Sequence, residues 1–145
     1  MSFLDTDFAV DLLREQRPRV LGPAHRKLQQ LGDAPVRLSL FVVCELEAGV
    51  ALASSPEEHK RVHRLCQECE VVYPDERFAP MYGETLAALK RERYTIATTD
   101  LLIATQALVP KDSLVTRNLR HFRKISDLQL VGCNIEIGIA GNPSP

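Results

Sequence analysis

The amino-acid sequence predicts a single α/β domain over residues 1–138, with a central parallel sheet of four to five strands flanked by helices and a disordered tail at 139–145. Three observations predict it. Short apolar, β-prone runs alternate with longer stretches of helical spacing, and parallel neighbours need such crossover connections. The chain has 145 residues, 45% of them hydrophobic, enough for one core that buries roughly two-thirds of the unfolded surface. No internal repeat divides it.

Residues 2–5 open as a strand that ends at an acidic turn. In 8–16 the apolar positions 8, 9, 12 and 13 have helical spacing. Pro18, Gly22 and Pro23 punctuate; residues 24–32 then read as a short helix stopped by Gly32, and 36–40 as a strand. Residues 41–53 follow as a buried helix, apolar nearly all round except at Glu45 and Glu47. The next helix start is the strongest signal in the chain: Ser55 as N-cap, Pro56 at the first helical position, Glu57 and Glu58 in the first turn. Residues 70–74 make a short strand, and 78–93 a helix with Tyr82, Leu86 and Leu89 on one stripe. Thr98 and Thr99 cap a further helix over 99–108, and Pro110 and Asp112 turn the chain into a strand at 113–116. The basic segment 117–125 leads to a last strand at 128–132.

Eighteen basic against nineteen acidic residues give a formal charge of -1 and a pI near 6.4. No protein-wide positive field recruits nucleic acid, so any such site is a local patch. No apolar run approaches the roughly 18 residues of a membrane span, and the first ten residues lack the basic start and long apolar core of a signal peptide. The expected location is cytoplasmic, and the four cysteines, at 44, 66, 69 and 133, are expected to be reduced thiols. His59, His63, Cys66 and Cys69 superficially suggest zinc. They share one helix face, but ten residues at ~1.5 Å each spread them over about 15 Å, whereas zinc takes all its ligands within roughly 2.3 Å. One helix cannot close that shell, and Val62, Leu65, Cys66 and Cys69 also make an ordinary core stripe.

In an open parallel sheet, ligands bind beyond the carboxyl ends of the strands. Asp5 ends the first strand, Glu45 lies early in the helix after the second, Asp100 opens the helix at 99–108, and Asn118 follows the strand ending at Thr116. All four map to that edge. Taken singly, each has a plain structural reading as a turn, surface or helix-start residue. Glu45 and Asp100, however, sit in otherwise apolar helices, where carboxylates are rare unless paired or coordinating a cation. Three converging carboxylates raise one another's pKa unless a cation joins them, and oxygen-only ligands point to Mg²⁺ or Mn²⁺.

In order and spacing, the blocks FLDTD, ELEAG, DLLIATQAL and LVTRNLRHF resemble the signature blocks of PIN-domain ribonucleases, and most closely those of the VapC-type toxins of bacterial toxin–antitoxin pairs. The resemblance covers residues 1 to about 132. It implies a PIN-like three-layer fold and a metal-dependent endoribonuclease with Asp5, Glu45 and Asp100 as acidic metal ligands, Asn118 at the fourth, variable position, and Thr6 and Thr116 as accessory hydroxyls. It also implies a tRNA or rRNA substrate, a small antitoxin partner and a homodimer. Asp7 stands where the family usually has Asn, which adds charge beside Asp5. Asn118 is neutral where many members carry Asp, which leaves one or two ions open.

Phosphodiester cleavage needs an activated water and neutralisation of the transition-state charge, both of which a carboxylate-held Mg²⁺ supplies. Beside Asn118, the basic residues Arg117, Arg120, His121, Arg123 and Lys124 read either as phosphate contacts, with Arg117, Arg120, Arg123 and Lys124 binding RNA, or as a solvated face. Lys90, Arg91 and Arg93 form a weaker patch. The stripes Phe8, Leu12, Leu13 and Tyr82, Leu86, Leu89 serve either the core or a second chain. Two other functions compete. Asp5-Thr6-Asp7 after an apolar strand imitates the nucleophile motif of haloacid dehalogenase-type phosphatases, and a PIN-like module without catalysis would serve as a binding or assembly partner.

Overall fold

The computed structural model describes residues 1–15 and 22–132. The expectations placed on Pro18, Cys133 and the tail at 139–145 lie outside these residues. The element order is β1 (Ser2–Leu4), α1 (Thr6–Glu15), α2 (Pro23–Gln30), β2 (Val36–Ser39), α3 (Leu40–Ala53), α4 (Pro56–Glu68), β3 (Glu70–Val72), α5 (Phe78–Arg91), α6 (Thr98–Leu108), β4 (Ser113–Thr116), α7 (Leu119–Phe122) and β5 (Gln129–Gly132).

The five strands form one all-parallel sheet in the order β3-β2-β1-β4-β5. Phe3 lies beside Arg37 on one side and Leu114 on the other, so β1 is the central strand. Its residues Phe3 and Leu4, pointing to opposite faces, are both buried, as a strand covered on two sides requires. The chain steps outward from β1 to β3, then crosses back to β4 and β5. Right-handed crossovers therefore put α1–α4 on one face and α5–α7 on the other. The switch in direction falls between β1 and β4, and it opens a crevice beyond their carboxyl ends.

Local chemistry sets the boundaries that matter for that crevice. α1 starts at Thr6 and not at residue 8 because Asp5 caps it, its Oδ1 accepting the Phe8 N–H at 2.9 Å. Ser39 caps α3 through the Phe41 N–H at 3.0 Å. Ser55 caps α4 ahead of Pro56 as the sequence predicts. α2 starts with Pro23, and Glu15 at the end of α1 supplies its cap, accepting from the N–H groups of Ala24 at 2.8 Å and His25 at 2.9 Å.

Two expectations are corrected. Thr98 is the first residue of α6, and its N-cap position, Ala97, has no side-chain cap bond. α3 is not buried along its length: only Val42 and Leu46 are, and Leu52 near its end is 87% exposed. A helix that is apolar all round carries no periodic signal of which face turns outward. Of the two apolar stripes, Phe8, Leu12, Leu13 and Leu89 lie inside the core of the single chain, while Tyr82 and Leu86 pack against it and are only partly buried.

Candidate active site

Asp5 follows β1 directly, and its N–H donates to Val115 O at 3.1 Å, extending the ladder between β1 and β4. Both side-chain oxygens are engaged. Oδ1 caps α1, and Oδ2 accepts from the Thr116 hydroxyl at the end of β4. Asp5 is only 4% exposed, and burial pushes its carboxyl up to about 6. The Thr116 and Phe8 hydrogen bonds pull the other way, while Asp7 and Asp100 add repulsion.

The remaining residues arrive from four other elements. Thr6 and Asp7 open α1, and the Thr6 hydroxyl donates to Glu45 Oε1 on α3. The Asn118 side-chain amide donates to Asp7, and its backbone N–H donates to Thr116 Oγ1 at 2.9 Å. Asp100, in the first turn of α6, is half-buried. Burial raises its carboxyl, with Glu45 and Asp7 adding to the rise and His121 opposing it. Together Asp5, Thr6, Asp7, Glu45, Asp100, Asn118, His121 and Phe122 line one cleft of about 140 Å³.

The cleft thus brings together the four residues placed at the carboxyl edge of the sheet with their neighbours Thr6 and Asp7, while Thr116 lies buried behind it, bonded to Asp5 and Asn118. It adds His121, which the sequence assigned to a basic cluster and whose Nδ1 lies 3.6 Å from Asp100 Oδ2. Only the four-residue helix α7, which turns this side chain back over α6, brings the two together, and no periodicity in the segment announces it.

The basic cluster itself is divided. Arg117 reaches across to Asp11 of α1 at 3.3 Å. Lys124 lines a separate cavity of about 530 Å³ with Met81, Leu108 and Lys111. Arg120 on α7 and Arg123 just after it remain as exposed cations. On α4, His59 and His63 face outward, while Cys66 and Cys69 pack at the edge of the core with thiols raised by burial.

The donor chemistry of the cleft suits a hard divalent cation, with carboxylate, amide and hydroxyl oxygens from Asp5, Asp7, Glu45, Asp100, Asn118 and Thr6. Carboxylates that raise one another's pKa are the electrostatic signature of a site that a cation relieves. Among the described residues no three His, Cys, Asp or Glu side chains stand grouped as a ready-made ion shell.

The PIN domain profile matches residues 2–128. The chain is 32% identical over 127 residues to "Ribonuclease VapC1" of Haemophilus influenzae strain R2866, covering 87% of this chain and 92% of that protein. Among solved structures it resembles VapBC-1 from nontypeable Haemophilus influenzae, with a TM-score of 0.75 and 30% identity over 92% of this chain and 98% of that one. VapBC2 from Rickettsia felis, solved bound to a DNA fragment from its promoter, shares the fold with a TM-score of 0.81, at 24% identity over 90% of this chain and 97% of that one.

Proposed function

As the chain belongs to the PIN domain family, and within it to the VapC-type ribonucleases, we propose that it is a Mg²⁺- or Mn²⁺-dependent endoribonuclease and the toxin of a toxin–antitoxin pair. One observation carries this reading: Asp5, Glu45, Asp100 and Asn118, from four separate elements, converge on one cleft at the switch point of the sheet.

In this reading Asp5, Glu45 and Asp100 hold the cation. When bound, it neutralises charge on the scissile phosphate and lowers the pKa of the attacking water. Asp5 is the fixed member, locked by Phe8 N–H and Thr116. Glu45 on α3 and Asp100 on α6 complete the carboxylate set. Asn118 keeps Asp7 turned into the cleft. Water attacks phosphorus, the P–O bond to the leaving sugar oxygen breaks, and no side-chain nucleophile is needed. The exposed Arg120 on α7 and Arg123 just after it, close in sequence to the cleft residues Asn118 and His121, supply the cations for flanking phosphates.

The partners that follow are a tRNA or rRNA substrate, a small antitoxin and a second copy of the chain, in the cytoplasm. No helix among the described residues is long and apolar enough to cross a membrane. The test is incubation of purified protein with total RNA in Mg²⁺, with the cleaved ends mapped by sequencing. Discrete ends that vanish in EDTA are expected. Intact RNA, or the same ends in EDTA, would count against the proposal.

A further inference from the structure

We propose that Tyr94 is a positioning residue of the cleft: its hydroxyl fixes α7, and through α7 it sets His121 beside Asp100. The proposal rests on the cleavage reading above and names a residue that lies outside the cleft itself.

Tyr94 sits in the loop between α5 and α6, four residues before the start of α6. Its ring packs against the core, and its N–H donates to Leu89 O at 2.9 Å, which ties it to the end of α5. The preceding Arg93 adopts a left-handed φ of 58°, which turns the chain there. So anchored, the Tyr94 hydroxyl lies 2.9 Å from Arg120 O and 3.1 Å from His121 O. One hydroxyl hydrogen is shared between two carbonyls that end a helix and have no partner within it.

α7 needs such an anchor. At four residues it is far shorter than a helix that holds itself in water. Phe122 is buried beneath it, while the His121 side chain is 57% exposed and so is not held by packing. At one end of α7, Asn118 is bonded to Thr116 and Asp7, and Thr116 in turn donates to Asp5. At the other end the tether is Tyr94. Without its hydroxyl, α7 can roll about Phe122, moving His121 away from Asp100.

The test is Tyr94→Phe, which keeps the ring and removes only the hydroxyl, made in the wild type and in a His121→Ala background. Steady-state cleavage is measured in Mg²⁺, and amide hydrogen exchange along the chain. Expected in the wild-type background are faster exchange confined to residues 119–123 and a roughly tenfold lower kcat, the scale for outer-shell partners of metal sites, with KM changed by less than about twofold. In the His121→Ala background the loss should shrink to about twofold or less. A kcat within about twofold of wild type, or an equal loss in both backgrounds, overturns the positioning role. If the wild type cleaves no RNA, the cleavage reading falls by itself. Exchange then decides the tether alone: unchanged exchange at 119–123 overturns it, and faster exchange confined there supports it.

Discussion

Replacing Asp5 by Asn should stabilise the metal-free protein at neutral pH and destabilise it in acid. In the folded state the Asp5 carboxyl is raised from 3.8 to about 6 by burial. The folded protein therefore binds more protons than the unfolded chain between these values, and its stability falls as pH rises through the window. The penalty is absent below about pH 4 and complete above about pH 6. At 1.36 kcal/mol per pH unit it amounts to about 3 kcal/mol. Asn removes it but loses part of the hydrogen bonding: Oδ1 still accepts from Phe8, while Nδ2 now meets the Thr116 hydroxyl, which already accepts from Asn118. That mismatch costs about 1 kcal/mol. The variant should thus be more stable by about 2 kcal/mol at pH 7.5, and less stable by about 1 kcal/mol near pH 4. Urea unfolding in EDTA at the two pH values reads this directly. At a slope of roughly 2 kcal/mol per molar, the neutral midpoint should rise by about 1 M. Added Mg²⁺ should then stabilise the wild type and leave the variant unmoved. A variant midpoint at or below wild type at pH 7.5, or the same difference at both pH values, would refute the reasoning.

Three further outcomes are expected. Thr116→Val leaves Asp5 Oδ2 and the Asn118 N–H without their partner, so the protein should lose about 1–3 kcal/mol in urea unfolding at pH 7.5; a loss below about 0.5 kcal/mol would mean that water replaces the hydroxyl. For Glu15, burial works to raise the carboxyl, but the N–H groups of His25 and Ala24 and the His25 ring outweigh it and hold it low. Its stabilising effect is present at neutral pH and lost as pH falls through its depressed folded value, so Glu15→Gln should cost about 1 kcal/mol at pH 7 and nothing measurable in strong acid; an equal cost at both would make the clip purely steric. Arg120→Ala and Arg123→Ala should each lower the salt slope of RNA binding by about 0.7 while leaving the cleavage sites unchanged, and an unaltered slope would assign these arginines to another surface.

The strands and most helices were legible because their signals are local: Pro56 behind Ser55, a β-prone run at 113–116, the apolar spacing of α1. The carboxylate cleft was legible for a different reason. A parallel sheet sends every strand's carboxyl end to one edge, so Asp5, Glu45, Asp100 and Asn118 could be assigned to a common place before any distance was known. What remained hidden depends on through-space relations between segments. His121 and Asp100 are 21 positions apart along the chain, and only the turn of α7 brings them within 3.6 Å. Arg117 and Lys124 stand in one basic run, yet a single short helix sends them to Asp11 on one side and to a separate cavity on the other. The outward face of α3 was unreadable because its apolar residues have no preferred side.

The central claim is that the carboxylates of Asp5, Glu45 and Asp100 hold the cation that cleaves RNA. Asp100→Asn tests it most directly, since Asp100 is half-buried and its replacement changes a charge with little change of shape. The measurement is the rate of RNA cleavage across a Mg²⁺ titration for wild type and variant, each shown by circular dichroism to be folded. The account predicts wild-type cleavage that rises with Mg²⁺ and stops in EDTA, and a folded variant slower by roughly three orders of magnitude at saturating metal. A folded variant that cleaves at the wild-type rate, or a wild type equally active in EDTA, would contradict it.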